Sequence, residues 1–214
     1  MRIIKHGHSC VTIATGDHRL VVDPGGFTER DVAADATAVL ITHEHADHWT
    51  PEQLAATDAP VFTIEAVAAK IADADPALRE RVSVVAPGDR FDAFGVAVTV
   101  VGTKHAVIHP ELPHFDNSGY LVEADGVSVF HPGDALTTLP APADVLLLPV
   151  SAPWMKVAEC IDYARDFGAA RSVAIHDAVY SEAGLGVVDG HLGRFLEPRQ
   201  QEYRRLRSGE ELTV

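Results

Sequence analysis

The sequence predicts an α+β fold of two similar halves, each a β-sheet with helices on its outer side, the two sheets packed face to face. Short β-branched runs ending in turn residues alternate with a few helical stretches along the chain, and the strands are too many for a simple alternating fold. The chain also repeats itself. "GDHRLVVDPGG" followed by "ATAVLITHEHADHW" returns about 107 to 108 residues later as "ADGVSVFHPGD" followed by "PADVLLLPVSAPW", and "PVFTIE" matches "SVAIHD" at a slightly larger offset. Each half then contributes one sheet with helices outside, and ligands belong on the loops at one edge of the sandwich. One domain is expected over residues 1–214.

The strands predicted in order are "RIIK", "VTIAT", "RLVVD", "AVLIT", "PVFTI" and "RVSVVA" in the first half. The second half supplies "VAVTVVG", "SGYLVEA", "VSVFH", "DVLLLPV" and "SVAIH". Each is rich in Val, Ile or aromatic residues and bounded by Gly, Pro, Asp or Ser. Helices are predicted from Pro51 to Ala56 after a Thr50 cap, from Ile64 to Ala74, from Lys156 to Phe167, and more weakly from Val187 to Leu196.

At 214 residues a folded chain can bury roughly 70% of the surface it exposes when unfolded, enough for a core without staples. Hydrophobic residues at 47% and charged ones at 22%, with no low-complexity tract, describe a globular protein. The net charge of -14 opposes broad attraction to nucleic acid or anionic membrane, so a small-molecule substrate is expected and nucleic acid is not. Apolar runs such as "VLLLPV" are too short to span a bilayer and "MRIIKHGHSC" lacks a signal-peptide centre, so a cytoplasmic protein without membrane insertion is expected. Cys10 and Cys160 form no CxxC pair and read as buried reduced thiols. The sequence does not reveal the oligomeric state.

Twelve histidines direct attention to where they fall. "LITHEHADHW" places His43, His45, Asp47 and His48 at the end of an apolar strand. In extended chain His43 and His45 point to the same side and can converge on one ion, whereas Asp47 and His48, after the turn toward a helix, face a neighbouring position. Two ions need more ligands than one loop holds. Other strand ends on the same edge carry His105, Asp134 and His176, each directly after an apolar run, and an Asp on a Gly-containing turn can offer one oxygen to each of two metals.

This set resembles the metallo-β-lactamase superfamily, whose signature H-x-H-x-D-H stands here as His43, His45, Asp47, His48, followed in order by His105, Asp134 and His176. "GHSCV" and "VVDPGG" extend the likeness over nearly the full chain. They look most like the small branch around ascorbate-6-phosphate lactonase and N-acylphosphatidylethanolamine phospholipase D. The resemblance implies a four-layer αββα sandwich, one metal on His43, His45 and His105, a second on Asp47, His48 and His176, and Asp134 between them. Trp49 after the signature and the setting "GTKHAVIH" depart from glutathione thioesterases, and His45 departs from flavodiiron proteins.

The function expected is a binuclear metal-dependent hydrolase in which the ions acidify a bridging water to hydroxide and hold the oxyanion, acting on a small ester, lactone, amide or phosphodiester. Asp47 and Asp134 are its candidate catalytic carboxylates. Zinc suits imidazole with carboxylate, and manganese or iron would accept the same ligands. An iron-dependent oxidoreductase of the same fold, persulfide dioxygenase-like, and a non-catalytic metal-binding protein are the other readings. Asp23 is placed to accept a hydrogen bond from a metal-bound imidazole and His8 to approach the pocket. His109 and His114, on the loop "AVIHPELPHFDN", are candidate substrate contacts or proton donors. His131 reads as a support, Trp49 and Trp154 as core filling or pocket walls, and the arginines of "EYRRLRSGEELTV" as a solvated helix face.

Overall fold

The computed structural model describes residues 1–214. The first half runs β1 (Arg2–Lys5), β2 (Val11–Thr15), β3 (His18–Val22), β4 (Ala38–Ile41), α1 (Pro51–Ala55), β5 (Val61–Thr63), α2 (Glu65–Ala74), α3 (Pro76–Arg79) and β6 (Val82–Val84). The second runs β7 (Arg90–Asp92), β8 (Ala97–Val101), β9 (Gly119–Ala124), β10 (Val127–His131), β11 (Val145–Pro149), α4 (Val157–Phe167), β12 (Arg171–Ile175), α5 (Glu182–Leu196), β13 (Glu202–Arg204) and β14 (Glu211–Thr213).

The repeat in the sequence is a repeat in topology. One sheet has the order β14-β1-β2-β3-β4-β5-β6 and the other, read from its opposite end, β7-β8-β9-β10-β11-β12-β13. In both, the first four strands pair antiparallel and the last four pair parallel. The final strand of the chain thus crosses to the first sheet, where it takes the edge place that β7 takes in the second.

Period-two alternation explains the layers. Leu40 on β4 and Leu147 and Val145 on β11 point into a cluster between the sheets. Their neighbours Val39 and Ile41 point outward into a cluster under α1 and α2, and Leu146 and Leu148 into one under α4 and α5. Three apolar interfaces separate four layers, the αββα arrangement that the likeness implies.

Differences from the sequence expectation lie where patterning is poor. The helix α5 begins at Glu182 rather than Val187, capped by the Ser181 hydroxyl, which accepts from the Gly184 N–H. Four glycines dilute its helical propensity, yet Leu185, Val188, Leu192 and Leu196 make one buried stripe against the second sheet. The C-terminal arginine segment forms strand β13 and not a helix face: Glu202–Arg204 extends the sheet beside β12. Arg205 bonds Asp189 and Glu182 on α5. The edge strands β7, β13 and β14, each three residues long, show no full buried face for alternation to reveal. Both cysteines are free and buried, and burial lifts the Cys160 thiol to about 12. No helix is long and apolar enough to cross a membrane.

Leu147 is wholly buried between the sheets. Leu147→Ala is expected to lower unfolding free energy by about 2–5 kcal/mol in a denaturant titration, and a loss below about 1 kcal/mol would contradict a packed inter-sheet core there.

Candidate metal centre

Every chain segment that reaches the centre leaves the same edge of a sheet. The loop after β4 carries His43, His45, Asp47 and His48 and is fixed at its far end by Thr50, whose hydroxyl caps α1 by accepting from the Gln53 N–H at 3.3 Å. The turn after β3 lies flush against this loop. A Cβ on Gly25 would stand 1.9 Å from the Asp47 carbonyl oxygen, so only glycine fits that approach. Gly133, at the matching place in the second half, has φ +64°, and a Cβ there would meet Asn117 Oδ1 at 2.2 Å. Asn117 accepts from the Asp134 N–H at 3.0 Å and donates to the Pro132 carbonyl at 2.9 Å, which fixes the turn carrying Asp134.

The expected ligands fall into two groups. His43, His45, His105 and Asp134 offer ligand atoms within 4.8 Å of one another, and so do His8, Asp47, His48 and His176. Asp134 touches both: Oδ1 lies 3.1 Å from His48 Nε2, and Oδ2 lies 3.3 Å from His105 Nε2 and 2.9 Å from His176 Nε2.

What the imidazoles do with their other nitrogen decides which atom faces the centre. His48 Nδ1–H donates to Asp23 Oδ2 at 2.7 Å, His105 Nδ1–H to the Ala106 carbonyl at 2.5 Å, and His176 Nδ1–H to the Ser151 carbonyl. The Thr42 hydroxyl gives its proton to Asp23 Oδ2 at 2.7 Å and accepts from His43 Nδ1–H at 3.0 Å. In the neutral rings the Nε2 lone pairs of His48, His105 and His176 are therefore left, while that of His43 faces His45 Nδ1 at 3.0 Å. Nε2 of His48 and of His105 and Oδ1 of Asp134 are buried without a hydrogen-bond partner. Such orphaned acceptors cost free energy unless a cation meets them, so the residues present fit divalent metal ions.

The charges agree. Burial works against ionisation of Asp134, but His48 and then His176 outweigh it and hold its carboxyl well below the usual range. Burial also disfavours a charged His48, and Asp134 and Asp23 overcome it, lifting this imidazole well above the ordinary histidine value. Burial leads in lowering His43, with His48 adding to it. Asp47 is held low despite its burial, chiefly by the hydrogen bond from His8 and by His48. The cluster demands positive charge, which a proton or a metal ion can supply.

The seven expected ligands thus converge, and Asp23 and His8 stand beside them. Asp23 is wholly buried and also accepts the Thr42 N–H at 2.8 Å. His131 Nε2–H donates to the Ser9 carbonyl at 2.9 Å, as a support does. His109 and His114 are not brought into the cluster: His109 Nδ1 accepts from the Glu111 N–H, and His114 Nε2–H donates to the His105 carbonyl at 2.7 Å, bracing a ligand's backbone. The two tryptophans part company. Trp49 packs in the core under α1, whereas Trp154 Nε1–H donates to Asp134 Oδ2 at 3.2 Å. Sequence reasoning missed Thr42, Asn117, Ser151 and Lys5. Only Lys5 carried a signal, a charge sharing the inward face of β1 with Ile3.

Comparisons with known proteins follow this geometry. Residues 2–176 match the family model described as a beta-lactamase superfamily domain, a span that contains all seven expected ligands. The chain is 38% identical over 198 residues to Protein Rv0786c of Mycobacterium tuberculosis, spanning 90% of this chain and 91% of that one. It is 30% identical over 191 residues to the UPF0173 metal-dependent hydrolase of Methanoculleus marisnigri, spanning 82% of this chain and 80% of that one. The crystal structure of the metallo-beta-lactamase fold protein YhfI from Bacillus subtilis has a TM-score of 0.75 at 16% identity, covering 99% and 98% of the two chains, a likeness of fold.

Because Asp134 and Asp23 favour the protonated form of His48 and a metal ion would take that proton's place, zinc uptake by chelator-stripped protein is expected to release protons at pH 7 and to weaken as pH falls. Calorimetric titration in buffers of different ionisation heat measures the release. A heat independent of buffer would contradict it.

Proposed function

The chain belongs to the beta-lactamase superfamily, among the UPF0173 metal-dependent hydrolases, and we propose that it hydrolyses a small ester, lactone, amide or phosphodiester with two divalent ions. His43, His45 and His105 would hold one ion, Asp47, His48 and His176 the other, and Asp134 would face both. The observation that carries this reading is the convergence of the unpartnered Nε2 atoms of His48 and His105 on the buried carboxylate of Asp134, whose Oδ1 also lacks a hydrogen-bond partner. When bound, the ions supply an acidified water as nucleophile and positive charge for the developing oxyanion. Zinc fits the imidazole-rich donor set, and manganese or iron fits it too.

The rest of the chemistry falls to the chain's own groups. Asp134 has a side chain only 3% exposed, whereas that of Asp47 is 24% exposed, so Asp47 is the carboxylate that a substrate-side proton can reach. It is the one we assign to orient the attacking water and accept its proton. Trp154 Nε1–H fixes Asp134 from the side of the second sheet, and the Phe115 ring, 4.6 Å from that of His45, walls the half-buried face of the site. We place this activity in the cytoplasm, in keeping with two free buried thiols.

The test joins metal counting to turnover on a panel of lactones, esters, amides and phosphodiesters in zinc, manganese and iron forms. Chelation is expected to abolish the activity and metal to restore it. His43→Ala and Asp134→Ala are expected to lower kcat/KM by more than about 100-fold, beyond what losing an outer hydrogen-bond partner costs. Activity intact in either variant, or purified protein without any transition metal, would overturn the reading.

A further inference from the structure

His8 offers a nitrogen within reach of the second group of ligand atoms, as close as Asp47, His48 and His176 are to one another. Proximity alone would make it a fourth ligand. Its hydrogen bonds give it another task. Nδ1 of His8 accepts the Ala178 N–H at 3.2 Å, so in the neutral ring the proton sits on Nε2, which faces Asp47 Oδ2 at 3.0 Å. The ring presents Asp47 with an N–H rather than a lone pair.

The surroundings fix that ring firmly. The His8 carbonyl accepts from the His176 N–H at 3.1 Å and from Lys5 Nζ at 2.6 Å, and Lys5 Nζ also donates to Asp177 Oδ1 at 2.8 Å. The Lys5 side chain is 1% exposed. A buried ammonium thus ties the β1–β2 turn of the first half to the segment after β12 that carries His176. The His8 ring packs on that of His176, their centroids 4.1 Å apart. His8 has φ +47° and His176 φ +55°, a left-handed conformation that glycine adopts without strain. Keeping a side chain at such a strained position points to what the side chain does.

We propose that His8 is a positioning residue for the second ion site: its Nε2–H holds the Asp47 carboxylate in the rotation that site needs, and Lys5 and Asp177 hold His8. The inference rests on the two-ion reading above. It predicts an effect confined to the second site, because the groups that orient His43 and His105 are Thr42 and the Ala106 carbonyl, which His8 does not touch.

The experiment titrates chelator-stripped full-length protein with Zn2+ against a chromophoric chelator, and with Co2+ read by its visible absorption. His8→Gly suits the φ of this position and removes the ring, and His8→Gln restores an N–H donor near the place of Nε2. His8→Gly is expected to keep its thermal melt and its first dissociation constant while the second rises about 10- to 100-fold. His8→Gln is expected to recover most of that loss and the Co2+ spectrum of the second site. An unchanged second constant in His8→Gly, equal weakening of both sites, or a His8→Gln as weak as His8→Gly would each overturn the assignment, the last by making His8 a ligand. Uptake of a single ion by the unaltered protein would instead overturn the two-ion reading and this inference with it.

Discussion

A carboxylate buried at the seam of two sheets sets the terms for everything around it. Asp134 is ionised and almost wholly shielded from water, with His48 from the first half and His105 and His176 from the second within 3.3 Å. A charge in such a place is sustained only by cations and hydrogen-bond donors brought to it. The fold brings them from four strand ends, those of β4, β8, β10 and β12, and the inter-sheet core holds these ends in register. Asn117 and Gly133 then set the turn that carries the carboxylate itself.

The same demand accounts for three of the seven non-glycine residues with positive φ. His8, Asp23 and His176 all have positive φ without being glycine, at a cost of about 1–3 kcal/mol each. All three adjoin the centre. Each is held by bonds to another segment: His8 by the His176 and Ala178 N–H groups, Asp23 by the Thr42 N–H and hydroxyl, and His176 by Ser151, whose hydroxyl donates to its carbonyl at 2.6 Å. Packing elsewhere supplies the free energy that keeps these side chains aimed inward.

Much of this was legible in the sequence because it is periodic or punctuated. Strands such as "AVLI" and "VLLLP" announce themselves by unbroken apolar runs, and the signature histidines follow closely on the first of them. Asp23 could be assigned a task because it precedes Pro24-Gly25 beside the signature, and its bond to His48 has the geometry that task requires. The edge strands and α5 were harder to read, since three-residue strands have no period and glycines mask a helix. His8 could be placed near the pocket but not given a function, because its bond to Asp47 spans 39 residues and depends on a tautomer set by Ala178. On the loop from Ala106 to Asn117, His109 and His114 bond backbone groups of Glu111 and His105, partners that composition does not reveal.

The two halves share topology but divide the chemistry. In the repeat, Asp23 of "DPGG" corresponds to His131 of "HPGD", and Gly26 to Asp134. The first turn therefore puts its carboxylate behind a ligand, where Asp23 orients His48, while the second puts its carboxylate in front, between the two groups of ligands. The loop after β4 carries four ligand residues, whereas the loop after β11, "VSAPW", carries none and contributes Ser151 and Trp154 as donors and acceptors around His176 and Asp134. A symmetric scaffold could have formed two equal half-sites, one per sheet edge. Placing the ligand loop on one half and the shared carboxylate on the other makes each half incomplete alone, so the centre exists only when the two sheets are packed together.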